Sequence, residues 1–279
     1  MPGASPTDSP AKGAPSELKF TLEQNREYWE DPTSVSLLDE NLRELEVAFV
    51  SKYLEPHQHL ADVGCGDGRA TRRYARLVES AVGIERSEHL RSVALADQQT
   101  DPVPNLEFRA GDILDLSAHE QFDVVVTERV LINLPSWGHQ QQALEQIARR
   151  LRPGGMYVMI ENTEDGDEAL NELRERAGLK AIPQHWHNLF LDWDAFAAFA
   201  EPEFELVERR GFSLYYLLTR VYAQLFASFT GSGANAQADP VFRQLDPAAR
   251  RLEEVVGSET RFGNRPVVGP IQGIALRKR

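Results

Sequence analysis

Apolar and polar positions follow one another along most of the chain as short strand-like runs separated by segments with helical spacing. Between residues 55 and 161, the apolar runs HLADVG, SAVGIE, LEFRAGDI, FDVVVTE and GMYVMIE alternate with amphipathic stretches. This rhythm is typical of βαβ units and predicts a parallel sheet. Between about residues 18 and 54, apolar residues recur at threes and fours, which predicts helices before the sheet. They are Leu37, Leu38, Leu42, Leu45, Phe49 and Val50.

The two ends of the chain have different patterns. Residues 1–16 are mostly Pro, Ser, Gly and Ala, a composition that cannot bury enough apolar surface to fold, so we expect a disordered tail. After residue 161, the segment FELVERRGF predicts a strand, and SLYYLLTRVYAQLFASF predicts an aromatic-rich helix. Residues 231–240 (GSGANAQADP) predict a flexible loop, and GPIQGIALRK predicts a closing strand.

Composition narrows the class of protein. The chain has 279 residues, of which 42% are hydrophobic and 26% charged, as expected for one globular domain. Neither a membrane-spanning apolar run nor a secretory signal is evident, so we expect a cytoplasmic protein without membrane insertion. The single cysteine, Cys65, rules out an internal disulfide, and the net charge of -13 argues against a nucleic-acid partner.

The glycine-rich stretch DVGCGDG is the strongest chemical signal. It follows an apolar run and precedes a helix, and glycines at alternate positions allow the backbone to approach a ligand closely. A dinucleotide fingerprint would place its third glycine at position 69, which is Arg69 in this chain. A P-loop would require Gly-Lys-Ser or Gly-Lys-Thr after the loop, and neither is present.

Two later strand ends carry acidic residues that could bind a nucleoside. Glu85 in the segment GIE lies 23 positions after Asp62 and could accept both hydroxyls of a ribose. Asp112 in the segment AGDI could accept the amino group of adenine while Ile113 packs on the ring. These positions favour an adenosine-containing ligand.

Taken together, DVGCGDG, GIE, AGDI, FDVVVTERVLINLP and LRPGGMYVMIE resemble the class I S-adenosylmethionine-dependent methyltransferases over about residues 54–161. The resemblance implies an α/β, Rossmann-like, seven-stranded, mostly parallel sheet with an antiparallel C-terminal strand. It also implies an N-terminal helical lid and a helical insertion near the last two strands. Within a domain spanning 17–279, we expect N-terminal helices at 17–54, a cofactor-binding half at 55–161 and a substrate-side half at 162–279, with the insertion at about 215–266.

The resemblance also implies S-adenosyl-L-methionine as the cofactor and assigns residues to it. Asp62 would face the amino group of the methionine portion, and Glu128 would lie beside that group unless it serves as a structural partner of Arg129. Arg43 would pair with the cofactor carboxylate, or with Glu40 or Glu46 instead. The complete predicted cofactor-binding set is Arg43, Asp62, Gly64, Cys65, Gly66, Glu85, Asp112, Ile113 and Glu128. Within this set, Cys65 is interpreted as a small packing residue between the glycines.

The acceptor side is predicted with less specificity. A histidine near its ordinary pKa suits the general base that an alcohol or phenol requires, and His187 is the preferred candidate, with His185 as a second. The His-x-His pattern could also bind a metal, but no carboxylate cluster accompanies it and no metal site is predicted. A structural role remains open for His185, His187, Arg129 and Asn133, and the aromatic segment that contains Tyr216 is favoured as the core of the inserted helix over a substrate cage. The predicted substrate-binding residues are Tyr28, Trp29, Arg129, Asn133, Trp186, Asn188 and Tyr216.

The predicted function is methyl transfer to an oxygen or nitrogen of a small molecule, with a possible homodimer as the assembly. The alternatives are methylation of a saccharide in a cell-surface glycan and a non-catalytic cofactor-binding scaffold or sensor. A nicotinamide oxidoreductase is opposed by the position of the third glycine. The segment TERV stands where amino-methyltransferases of nucleic acids carry an Asn/Asp-Pro-Pro-Tyr/Phe motif, which again disfavours a nucleic-acid substrate.

Overall fold

A single seven-stranded sheet organises the protein. Its structure is a computed structural model that describes residues 18–34, 39–230, 244–257 and 267–279. The strands are β1 (His59–Val63), β2 (Ser80–Glu85), β3 (Leu106–Ala110), β4 (Phe122–Glu128), β5 (Leu151–Asn162), β6 (Phe204–Gly211) and β7 (Ile271–Lys278). Their order in the sheet is β3-β2-β1-β4-β5-β7-β6, with β1 to β5 parallel and β7 antiparallel to both of its neighbours. The predicted fold class is confirmed.

Helices connect and cover the strands. The described helices are α1 (Leu22–Glu30), α2 (Glu40–Ser51), α3 (Arg69–Ala75), α4 (Glu88–Thr100), α5 (Trp137–Arg150), α6 (Glu164–Arg176), α7 (Trp193–Ala200), α8 (Ser213–Tyr216), α9 (Ala223–Thr230) and α10 (Leu245–Val256). A 3-10 turn, Leu131–Asn133, follows β4, and a π-helical segment, Leu217–Tyr222, joins α8 to α9. None of the helices in the described ranges is long and apolar enough to cross a membrane.

The apolar run in β4 packs into two hydrophobic cores, one on each face of the sheet. Val124 and Val126 belong to one buried cluster, and Val125, between them, belongs to the other. Side chains alternate between the two faces of a strand, so a central strand covered on both faces needs consecutive apolar residues. This explains why the predicted strands contain continuous apolar runs.

The strand order creates a crevice at the carboxyl end of β1. The chain moves outward from β1 to β2 and β3, then returns to place β4 on the other side of β1. In open α/β sheets, ligands bind outside the carboxyl ends of the strands at such a reversal. The ends of β1, β2 and β4 are therefore the expected location of a site.

The interval between β6 and β7 contains α8, α9 and α10, as the predicted insertion requires. Asp39, which caps the N-terminus of α2, accepts a hydrogen bond from Tyr215 at 2.7 Å and pairs with Arg220, so the insertion is bonded to the helices that precede the sheet. The predicted tail at 1–16, the predicted loop at 231–240, and Leu37 and Leu38 lie outside the described residues. The division into cofactor-binding and substrate-side halves stays a prediction.

Candidate cofactor site

A cavity of about 350 Å³ lies at the carboxyl ends of β1, β2 and β4, and residues of α1 and α2 line its outer side. All nine predicted cofactor-binding residues line it. Three of the predicted substrate-binding residues, Trp29, Arg129 and Asn133, line it as well. Residues as far apart in the chain as Trp29 and Asn133, 104 positions, therefore meet around one space.

The glycine loop supplies the floor of the cavity. Gly64 and Gly66 have φ values of +73° and +57°, in the left-handed region that glycine adopts without a steric penalty. The Gly64 amide donates to the Ile84 carbonyl at 2.7 Å, which ties the loop to β2. A Cβ atom built on Gly66 would meet no atom within 4 Å, so the backbone at this position faces open space.

Two carboxylates beside this loop are buried. Asp62 accepts a hydrogen bond from the Thr71 hydroxyl at 2.6 Å. Glu85 accepts from the Gly66 and Ser87 amides at 2.9 and 2.7 Å. Burial raises the pKa of Asp62 well above its usual range, and it also raises the pKa of Glu85. A cation bound here would favour the ionised form of both groups.

Glu128, at the end of β4, lies both at the cavity and near Arg129, so its position is compatible with either of its two predicted roles. It lines the cavity, and its carboxylate accepts a hydrogen bond from the Tyr74 hydroxyl. Its other oxygen lies 3.8 Å from Nη2 of Arg129. The closest ion-pair partner of Arg129 is Glu46, at 2.7 Å, so Glu128 is only a second, more distant partner.

The residues predicted to contact adenine and the cofactor carboxylate also interact with other residues of the protein. Asp112 lies 3.6 Å from the Arg26 guanidinium and 3.8 Å from that of Arg86. Ile113 is buried beside it in the cavity wall. Arg43 pairs with Glu40 at 3.0 Å, as the structural alternative proposed, and both side chains line the cavity.

Helix α1 closes over the cavity through polar contacts that sequence reasoning missed. Asn25 is buried and accepts a hydrogen bond from Arg86 at 3.1 Å. Glu30 accepts from the backbone amides of Glu88 and His89 at 3.0 and 3.1 Å, at the N-terminus of α4. Ser87 donates to the backbone carbonyl of Trp29 at 3.0 Å. A buried asparagine in a predicted surface helix is the signal that could have indicated this role.

The preferred catalytic candidate, His187, lies in an aromatic cluster next to α1. Its ring stacks on Tyr28 with 4.1 Å between centroids and meets the edges of Trp29 and Trp186 at 6.0 and 5.3 Å. Burial, with a smaller contribution from His185, lowers the pKa of His187 to about 4. Its Nδ1 atom is buried and has no hydrogen-bond partner among the described residues. His187 does not line the cavity, and Trp29 is the residue that belongs to both places.

The remaining acceptor-side candidates are not among the residues that line the cavity. His185 and Trp186 are exposed, and the Asn188 carbonyl accepts a hydrogen bond from Lys19 at 2.7 Å. Tyr216 is buried in a hydrophobic core, where its ring fills the space that a Cβ on Gly269 would occupy. Roles for these residues in substrate binding stay predictions. Within the described ranges, no group of three His, Cys, Asp or Glu side chains is placed to hold a metal ion.

The protein-family comparison agrees with this geometry. Residues 61–159, which include the glycine loop and the ends of β2 and β4, match the model of the methyltransferase domain. The match covers about a third of the chain and supports the resemblance to S-adenosylmethionine-dependent methyltransferases over those residues.

Similar proteins extend the comparison over part of the chain. The O-methyltransferase cnsE of Penicillium expansum is 32% identical over 147 residues, which cover 50% of each chain. The dTDP-4-amino-2,3,4,6-tetradeoxy-D-glucose N,N-dimethyltransferase of Saccharopolyspora spinosa is 29% identical over 114 residues, which cover 40% of this chain and 44% of that protein. The chain thus spans about half the length of the curated relatives that it matches. The YcgJ protein of Bacillus subtilis, 14% identical with a TM-score of 0.51, covers 84% of this chain and 97% of that chain and shows the fold alone.

Proposed function

We propose that the chain transfers a methyl group from S-adenosyl-L-methionine to an oxygen or nitrogen atom of a small molecule. The observation that carries this proposal is the single cavity lined by all nine residues that the sequence assigned to the cofactor. The similar proteins include one named as an O-methyltransferase and one named as an N,N-dimethyltransferase, so both kinds of acceptor atom stay within the proposal. The cytoplasmic location and the possible homodimer stay predictions from the sequence.

The residues around the cavity fit this cofactor chemically. S-Adenosylmethionine carries an ammonium group and a sulfonium group, and the carboxylates of buried Asp62 and half-buried Glu128 would offset that positive charge. Glu85 would accept the ribose hydroxyls, since each carboxylate oxygen has a second lone pair beyond its bond to a backbone amide. Asp112 and Ile113 would hold adenine. The open space beside Gly66 permits the close backbone approach that the glycine loop predicts.

The protein contributes to the reaction mainly by alignment and by exclusion of water. When bound, the cofactor supplies a methyl carbon on a sulfonium, which is open to displacement by an oxygen or nitrogen lone pair. Trp29 and Asn25 of α1 cover the cavity and would keep water from competing with the acceptor. Holding two reactants in line can supply several kcal/mol of the rate acceleration.

We further propose that His187 accepts the proton that an alcohol or phenol acceptor loses. Its lowered pKa keeps the ring neutral at pH 7, although it makes the ring a weaker base than an ordinary histidine, and its buried Nδ1 has no hydrogen-bond partner in the part of the chain that the structure describes. The acceptor would lie on the side of the cavity bounded by Trp29, which contacts the His187 ring. His187→Ala should lower kcat about a hundredfold and leave cofactor affinity nearly unchanged. His185→Ala, at an exposed neighbouring position, is the matched control, and an unchanged kcat for His187→Ala would refute the assignment.

The decisive experiment is calorimetric titration with S-adenosylhomocysteine. The wild-type protein should bind at micromolar concentration or tighter, and Glu85→Gln should weaken binding because one of the carboxylate's two acceptor oxygens becomes a donor. Glu88→Gln, three positions away on the exposed start of α4, is the control. Labelled methyl donor with hydroxyl, amine and saccharide acceptors then tests turnover. Binding without turnover on any acceptor would favour the sensor, and no binding would refute the proposal.

A further inference from the structure

Glu46 is a buried carboxylate on α2 whose side chain is fully shielded from solvent. Its Oε1 atom accepts a hydrogen bond from Nη1 of Arg129 at 2.7 Å. Its Oε2 atom has no hydrogen-bond partner among the described residues. An ionised carboxylate in this position is costly unless it is paired, so the Arg129 contact is the interaction that makes its burial tolerable.

Arg129 is held in an unusual backbone conformation between two carboxylates. Its φ of 57° is the one positive value of a non-glycine residue in the described ranges. The Arg129 amide donates to the Ile160 carbonyl at 2.7 Å, and the Asn133 side chain donates to the Arg129 carbonyl at 2.6 Å. These bonds fix the backbone from both sides. Strained residues that the surroundings hold in place cluster at functional sites.

The two carboxylates compete for the Arg129 guanidinium, and Glu46 is the closer. The distance from Arg129 to Glu46 is 2.7 Å, whereas Glu128 lies 3.8 Å away. The second distance is beyond hydrogen-bond range, so Glu128 keeps a carboxylate oxygen that is not in a close ion pair. Burial raises the pKa of Glu46, and the nearby Glu128 carboxylate raises it further, whereas the Arg129 guanidinium lowers it.

We propose that Glu46 is a positioning residue that holds the Arg129 guanidinium away from Glu128. Glu128 is thereby left free to bind the ammonium group of the cofactor's methionine portion. This inference rests on the proposed function, which places that ammonium beside Glu128. Without Glu46, Arg129 would turn toward Glu128, the other carboxylate it already approaches, and would neutralise it.

The test compares two ligands that differ in the amino-acid portion. S-Adenosylhomocysteine carries the ammonium group, and 5′-methylthioadenosine lacks it. In Glu46→Gln the neutral amide attracts the Arg129 guanidinium less, so that the guanidinium can pair with Glu128; loss of the charge-assisted hydrogen bond between Glu128 and the ammonium group should weaken S-adenosylhomocysteine binding about tenfold and leave 5′-methylthioadenosine binding unchanged. Glu44→Gln is the control on the same helix, because Glu44 pairs with Arg73 at 2.7 Å on a partly exposed surface.

A second variant separates positioning from loss of structure. Glu46→Gln combined with Arg129→Gln removes both charges of the pair, so no guanidinium remains to neutralise Glu128, and we expect S-adenosylhomocysteine affinity to recover toward wild type. Equal weakening of both ligands by Glu46→Gln, or no weakening of either, would overturn the inference. A double variant that binds as weakly as Glu46→Gln would also overturn it. If the wild-type protein binds neither ligand, the proposed function fails first.

Discussion

Alanine substitutions at the two glycines of the cofactor loop should differ in their main effect, which is on stability for Gly64 and on ligand binding for Gly66. In Gly64→Ala, the new Cβ would lie 2.6 Å from Cγ2 of Val130, and the residue would have to keep a φ of +73°. The left-handed conformation costs an L-residue about 1–2 kcal/mol, and overpacking adds about 1–3 kcal/mol. We therefore expect Gly64→Ala to lower the free energy of unfolding by about 2–5 kcal/mol.

Gly66→Ala should be milder for stability and more severe for binding. The substituted Cβ would meet no protein atom within 4 Å, so only the conformational cost of about 1–2 kcal/mol applies. Gly66 lines the cavity, however, and its amide donates to Glu85 at 2.9 Å. A methyl group in the open space beside it would occupy volume that the proposed cofactor needs.

Thermal unfolding and calorimetric titration of both variants with S-adenosylhomocysteine provide the assay. At about 2–4 °C per kcal/mol, Gly64→Ala should lower Tm by several degrees more than Gly66→Ala. Gly66→Ala should weaken binding at least tenfold at a temperature where both variants are folded. Equal Tm values would contradict the packing argument at Gly64. Unchanged affinity in Gly66→Ala would contradict the placement of the ligand over the loop.

Three further predictions test the buried carboxyl group of Glu161, the contact between α1 and α4, and the hydrophobic core around β1. Burial raises the pKa of Glu161 to about 7. Between about pH 4.5 and pH 7 the folded state therefore keeps a proton that the unfolded state has released. The free energy of unfolding consequently falls as the pH rises through this range. Glu161→Gln should reduce this dependence of the free energy of unfolding on pH, which urea unfolding at pH 5 and pH 8 measures. An equal change between the two pH values in the wild-type protein and the variant would contradict the prediction. Glu30→Gln should loosen α1 from the start of α4 and speed dissociation of S-adenosylhomocysteine a few-fold in stopped-flow measurements, whereas Glu27→Gln, exposed on the same helix, should not. Leu60→Ala, at a fully buried position in β1, should cost about 2–5 kcal/mol in urea unfolding, and a cost below 1 kcal/mol would show that the core rearranges around it.

Much of the fold could be predicted because its signals are local. The apolar runs of β1, β2, β4 and β5 and the glycine loop are each contained in a few consecutive residues, and the order of the motifs implies the order of the strands. The ends of β1, β2 and β4 then converge because parallel strands point the same way. This is why eight of the nine predicted residues line one cavity; the ninth, Arg43, lines it from α2.

The contacts between distant segments could not be predicted in the same way. Glu46 was considered only as a partner of Arg43, yet its close partner is Arg129, 83 positions away, and no spacing rule links the two. The stacking of His187 on Tyr28 likewise depends on how α1 lies across the sheet. The aromatic segment that contains Tyr216 could be interpreted as helix core or as a substrate cage, and only the structure shows that Tyr216 packs against Gly269. Periodicity indicates that such a residue is on an apolar face and does not indicate what that face covers.

The charges of the cavity connect its stability to its proposed ligand. Burial works against the ionised forms of Asp62, Glu85 and Glu46, and only Glu46 has an arginine within hydrogen-bond distance. The protein by itself therefore pairs one of these carboxylates with a cation and leaves Asp62 and Glu85 dependent on hydrogen bonds from Thr71 and the backbone. In the proposed binding mode, the ammonium group of the ligand would supply positive charge beside Asp62, while its ribose hydroxyls would donate hydrogen bonds to Glu85. The same arrangement would give a neutral or anionic nucleotide a smaller electrostatic gain, which is a physical reason for this cavity to select the methyl donor.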